Sequence, residues 1–293
     1  MVAVLALLSS VMWGTSDFLG GKLARRRPPL AIVGFGMVFG LFVMLVVMAA
    51  TGAWSAPLGY LGWAICASIS GLVGLLMFYR ALAIGTMGVV SPIAAVGIVV
   101  PLVGGLIAGD IPSPVQAAGV VFAIAGLGFV VAPEREVMES TDAEKAVTVM
   151  DADARSVHRK SILLAALSAV CFGVALAAIA RGSLISPIMT MTSMRLSSVV
   201  IIAVVALSLR SVGGVTRHDL PQLAVVGVFD VAANLTYGLA ASGGALVVAA
   251  VLGSLYPVFT VLLAWHLLGE RLRRIQYLGI ALALLGVVLM SID

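Results

Sequence analysis

Charge is what this sequence has least of. Only 10% of its 293 residues are Asp, Glu, Lys or Arg, against about 25% in a typical soluble domain. Hydrophobic residues make up 62%, and the mean hydropathy is +1.19. A chain with so few charged groups cannot cover its surface in water, so a soluble domain is excluded and an integral membrane protein is implied. Cysteine is nearly absent: Cys66 and Cys171 lie alone in separate apolar runs. That excludes a disulfide framework and a thiolate metal site, and leaves each as a small hydrophobe. The three histidines, His158, His218 and His266, are too scattered for a zinc site; the first two read as loop residues, and His266 with Glu270 supplies only two ligands. No Walker-type phosphate loop is present, so any work must be driven by gradients. No basic segment precedes the first apolar run, which reads as a spanning helix and not a cleaved signal. The net charge of +4 does not point to nucleic acid, because the basic residues sit at the ends of apolar runs.

A spanning helix needs roughly 20 apolar residues. Runs of that size fall near 2–22, 30–50, 58–82, 88–108, 113–132, 161–180, 187–209, 221–241, 245–268 and 273–291. This predicts an all-α polytopic membrane protein of about ten transmembrane helices. The stretch 133–160 between the fifth and sixth runs is hydrophilic, of mixed charge and without apolar periodicity, and reads as a solvated linker. The chain divides accordingly into 1–132, the linker 133–160, and 161–293.

The two parts are copies. Residues 109–132 and 269–292 match without a gap, placing Gly109 on Gly269, Gln116 on Gln276, Gly119 on Gly279, Ala123 on Ala283 and Gly126 on Gly286, with Asp110 where Glu270 stands. Aligning Gly14 with Gly173 also puts Ser9 on Ser168 and Lys22 on Arg181. Five helices is an odd number, so the second copy must cross the membrane in the opposite sense: two inverted five-helix repeats around a central cavity, as in secondary transporters. Lys22, Arg25, Arg26, Arg27, Arg80, Arg135, Arg210, Arg217, Arg271 and other basic residues fall on one side and Arg181 alone on the other. The basic side, with the linker, is expected to be cytoplasmic and both termini extracytoplasmic. Gly36 with Gly40 and Gly105 with Gly109 are small-xxx-small pairs that let backbones approach. Pro92, Gly97 and Pro101 in the fourth run, and Gly253 and Pro257 in the ninth, are helix breakers at matching depths. They mark either a substrate site or ordinary kinks.

These residues carry a family resemblance. The stretch Leu267 to Leu289, preceded by SLYPVFTVLLAWH, resembles the second-repeat signature of the drug/metabolite transporter superfamily, EamA type. The Trp13-Gly14 opening and the spacing from Pro187 to Arg195 are similar to that family's first and seventh helices. The resemblance spans the whole chain and implies ten helices in two inverted halves, a central cavity and alternating access. Asp110 departs from the glutamate usual in the first copy, and Gly36 falls where the first half would echo Arg195.

An ionisable residue within a membrane helix costs a few kcal/mol or more, so each is a functional candidate. Arg195 and Asp230 lie about 12 and 13 Å into their runs at 1.5 Å per residue, from opposite sides, which matches their depths within a turn. Asn234 and Tyr237 follow Asp230 at i+4 and i+7 and share its face. The group reads as the substrate-binding wall of a cavity or as a structural ion pair with polar glue. Asp17 shares a face with Trp13 and lies near Arg80 in depth: a gate, or a hydrated carboxylate beside a snorkelling arginine. Trp13 lines the cavity or packs at an interface. Asp110 and Glu270 open the following helices, where an acid favours the dipole.

The expected function is a secondary active transporter, taken as an exporter of a small polar metabolite of amino-acid-like or related character, in the cell membrane. Its partners are that solute, the lipid bilayer, and a proton or counter-solute; it needs no cofactor and acts as a monomer or homodimer. The competing readings are an intramembrane hydrolase using Ser242, which lacks a base within reach, and a passive channel, for which no ring of like charges is seen.

Overall fold

Proline and glycine punctuate the chain, and helices fill the intervals. In the computed structural model α1 (Val2–Ala24) stops at the Arg25–Arg27 cluster, and α2 (Pro29–Thr51) starts on Pro29 and ends at Gly52, whose φ of 66° only glycine adopts cheaply. Helix α3 (Tyr60–Ile84) ends at Gly85. The fourth run is broken into α4 (Met87–Ala95), a 3-10 turn at Val96–Ile98, and α5 (Val99–Ile107). Helix α6 (Pro114–Val130) opens with a reciprocal capping box between Ser113 and Gln116. Then come α7 (Val147–Ser183), α8 (Pro187–Leu209) and α9 (Leu220–Ser242). The ninth run is broken into α10 (Leu246–Gly253) and α11 (Tyr256–Leu268), and α12 (Arg274–Met290) follows. The structure describes residues 1–85, 87–130, 147–209, 214–268 and 274–290, and no strand occurs among them.

Seven of the described helical stretches are long and apolar enough to cross a membrane, and three shorter apolar ones are Ile93–Ile107, Pro114–Gly126 and Tyr277–Met290. Their outward faces are apolar at helical spacing: Val38, Phe42 and Leu45 on α2, Leu163, Leu167 and Val170 on α7, and Leu196, Val200 and Val204 on α8 are all exposed. A surface of this kind faces lipid. The protein is a multi-pass, all-helical membrane protein.

Two expectations need correction. The sixth run does not begin at residue 161: helix α7 reaches back to Val147, so the second part of the stretch read as linker is helical and His158 lies on a helix and not in a loop. Residues 133–146, like Glu270, Arg210, Arg271 and Arg273, lie outside the described residues. Gly109 is not a packing glycine. It holds the turn between α5 and α6 with φ 87°, while its companion Gly105 lies against Val247 of α10.

The helices meet through small residues. A Cβ at Gly126 would lie 2.4 Å from the Ala283 nitrogen, and one at Gly286 2.6 Å from the Ala123 nitrogen. Gly119 meets Gly286, and Gly126 meets Gly279, so α6 and α12 run antiparallel along a Gly/Ala seam. Gly14 of α1 crosses α11 at Tyr256 and Thr260, and Gly173 of α7 crosses the broken fourth run at Gly97 and Val100. Gly36 of α2 meets Gly227 of α9 backbone to backbone. Ser9 and its sequence match Ser168 are both fully buried, each donating 2.7 Å back to the carbonyl three residues earlier.

Candidate functional site

Breaking a helix frees backbone polar groups that hydrocarbon cannot satisfy. Here the hydroxyl of Ser10 on α1 donates to the Leu252 carbonyl and, at 2.8 Å, to that of Gly253, where α10 ends. Thr260 donates to Tyr256 O at 3.0 Å and Gly14 O at 3.2 Å. Both breaks then border one cavity, the fourth run through Ala94, Ala95 and Gly97 and the ninth through Gly253, Ser254 and Tyr256. The matched breakers thus do mark a cavity wall. It leaves about 80 Å³ for the centres of water-sized molecules.

All six residues singled out in the sequence line this cavity: Trp13 and Asp17 from α1, Arg195 from α8, and Asp230, Asn234 and Tyr237 from α9. Arg195 is 1% exposed, and its Nη2 lies 2.8 Å from Asp230 Oδ2. Asn234 donates its amide to Asp230 Oδ1 at 3.2 Å and to the Asp230 carbonyl at 2.6 Å. One carboxylate oxygen therefore faces the guanidinium and the other the amide. Asn234 fixes the rotamer that keeps Asp230 turned to Arg195.

The pair is incompletely satisfied. Arg195 Nη1 donates to the Met37 thioether at 2.9 Å, a weak acceptor, while Nε has no hydrogen-bond partner and Nη2 meets Asp230 off-axis. The buried Tyr237 hydroxyl also has no partner. Each buried orphan donor carries a penalty of about 1–3 kcal/mol, more at a charged group. Unused donors on a cavity wall are groups that a bound solute can engage. On the other side Arg195 packs against α2, where a Cβ at Gly40 would lie 3.4 Å from Arg195 Cδ.

Asp17 differs from its expectation. It is not hydrated beside a snorkelling Arg80: Asp17 is buried and borders the cavity, and Arg80 is exposed. Trp13 is mid-helix, not interfacial, and packs on Tyr237 and Tyr256 with ring centroids 5.7 and 6.5 Å away. Asp110 does not serve the helix it precedes. Its Oδ2 accepts from the Val247 backbone N–H at 2.7 Å, capping α10 of the other half. Lys22 and Arg181 are exposed near helix ends, as expected. The Ser242 hydroxyl donates back to Leu239 O at 3.0 Å. No cluster of metal-ligating residues occurs among the described residues.

Sequence reasoning did not single out Met37, Ser198 or Phe172, which also line the cavity. Ser198 shares a 2.8 Å hydroxyl contact with Ser68 and stands one turn from Arg195, a spacing that was readable. Nothing in an apolar run marks which methionine will meet the guanidinium.

The chain matches the model of the EamA-like transporter family over residues 1–132 and 159–292. No curated protein sequence matches it. A solved crystal structure, described only as that of a protein, superposes with a TM-score of 0.72 over 99% of this chain and 96% of its own, at 16% identity, a likeness of fold.

Proposed function

The chain belongs to the EamA-like transporter family, and on that premise we propose that it is a secondary active transporter moving a small polar metabolite, amino-acid-like or related, by alternating access. The observation that carries this reading is the cavity between the two broken helices, whose wall holds a buried guanidinium with unused donors. Arg195, Asp230, Asn234, Tyr237, Trp13 and Asp17 are the substrate contacts in this proposal. Arg195 and Asp230 are the ninth and eleventh of 23 residues in their helices, near mid-membrane, where repeat-built transporters bind their solutes.

In this reading α4 with α5, and α10 with α11, each make one membrane pass, giving ten. The repeats are inverted. The antiparallel α6–α12 seam supports this, because an axis along the membrane normal would leave repeat-matched helices parallel. The basic side is cytoplasmic, both termini are outside, and the membrane is the cell membrane. Cysteine introduced at Ser140, outside the described residues, or at exposed His218 is expected to resist an impermeant thiol reagent added to intact cells; labelling there reverses the orientation.

The protein is not an enzyme in this reading, since the hydroxyl of Ser242 is turned onto its own helix. The deciding experiment is solute counterflow in proteoliposomes against a metabolite panel, with and without a pH gradient. Saturable counterflow is expected. Non-saturable flux would indicate a channel, and chemical conversion without flux an enzyme. Acceleration by a pH gradient identifies a proton as the coupling ion.

A further inference from the structure

Three charged side chains border the cavity, and only two of them face each other. Arg195 is already matched by Asp230. Asp17 is 9% exposed and has no ion pair or hydrogen bond among the described residues, although the hydroxyl of its chain neighbour Ser16 does, to Val226 O at 3.0 Å. The cavity wall therefore carries two carboxylates and one guanidinium. A buried carboxylate without a partner is costly, and the cost is relieved either by a bound proton or by a cation brought in from outside that displaces it.

The surroundings select the kind of cation. Trp13 is one turn before Asp17 on the same face of α1. Its ring is tilted 45° to Tyr237 and stands edge-on at 73° to Tyr256, and all three rings border the cavity. Aromatic rings attract a cation over their faces, most strongly when it has lost its water. Most of the remaining wall is apolar, as at Leu72, Leu75, Ile98 and Leu176, with Ser198, Ser254 and Asn234 as its other polar side chains. An alkylammonium matches both halves of this surface, its charge the carboxylate and its alkyl groups the rings.

We propose that Asp17, with Trp13 and Tyr256, forms an ammonium subsite, and that the preferred substrates are organic amines for which a free carboxylate is dispensable. This deepens the transporter reading and rests on it. The charge count sets the order. With Asp17 ionised, a monocation makes the cavity neutral. A zwitterion adds a second carboxylate competing with Asp230 for Arg195. An N-acylated acid brings only negative charge. The unused Nε of Arg195 is left for a neutral oxygen acceptor on the substrate.

The test is a charge series on one carbon skeleton: a free amino acid, its primary amide, its N-acetyl derivative and the decarboxylated amine. Binding is read as thermal stabilisation of the detergent-purified full chain, and transport as competition in counterflow. The amide and amine are expected to bind best, the free amino acid less well, and the N-acetyl acid not at all. Asp17→Asn is expected to weaken the two cations by about tenfold or more. Trp13→Phe should retain part of that affinity and Trp13→Leu less. N-acetyl acids binding as well as amides, or Asp17→Asn binding cations like wild type, overturns the subsite. If Asp17→Asn does not fold, the wild-type ranking alone decides. Transport that favours anions leaves the transporter reading standing and removes the subsite; amines that bind but never cross leave the subsite and remove the transporter.

Discussion

Along the α6–α12 seam the two halves offer each other the same residues: Gly119, Ala123 and Gly126 against Gly286, Ala283 and Gly279. Inside the cavity they do not. At the 159-residue offset that places Gly14 on Gly173, Trp13 and Asp17 correspond to Phe172 and Leu176. Arg195, Asp230 and Asn234 correspond at that offset to Gly36, Gly71 and Leu75. Wherever one half is polar, the other is apolar or glycine. Close helix packing needs only small side chains, so both copies can share it. Recognition of a solute with two unlike ends needs unlike walls, so a duplicated scaffold that is symmetric where its helices pack and asymmetric around its cavity suits the proposed function.

The largest effect should come from breaking the asymmetric part. Asp230→Leu alone leaves Arg195 buried without its counter-ion, at a cost of about 3–5 kcal/mol, read as loss of monodisperse protein and a lower unfolding temperature. The symmetric part should respond equally from both sides. In Gly126→Ala and in Gly286→Ala the new methyl meets backbone at 2.4 and 2.6 Å, so each should lose about 1–3 kcal/mol. Gly128→Ala, with nothing within 4 Å, is the silent control. Strongly unequal losses at Gly126 and Gly286 would break the seam's symmetry.

How far the site could be read in advance follows the same division. The six cavity residues were legible because polar groups in apolar runs are rare and costly, so each stands out. The broken fourth and ninth helices were legible from Pro92, Gly97, Pro101, Gly253 and Pro257. The surroundings of Asp17 were not, because depth along a helix does not say which neighbour a side chain faces. Nor was the Asp110 contact with Val247, which spans 137 residues of chain. A helix continuing back to Val147 was hidden by charges that an exposed helical extension tolerates.

Asp110→Asn keeps an acceptor at the α10 N-terminus but removes the charge. It should cost about 0.5–1 kcal/mol, seen as faster proteolysis near Leu246. At the other end of the helices Arg27 pairs with Asp219 at 2.8 Å. The Thr216 N–H and hydroxyl, and then Arg27, hold the Asp219 carboxyl below its ordinary value of 3.8. Because the folded value is the lower one, this contact stabilises the protein above that pH and is lost as the pH falls below it. The difference in unfolding temperature between wild type and Asp219→Asn should therefore be present at neutral pH and shrink as the pH falls below 3.8.

In the proposed function Arg195 and Asp230 bind substrate and are not merely a structural pair. Removing both charges together relieves the stranded partner, so Arg195→Met with Asp230→Leu should fold and insert. The decisive measurement is counterflow per folded molecule for this double variant beside each single. A substrate-binding pair gives a well-folded double variant with no transport, and restored transport would leave only a structural pair.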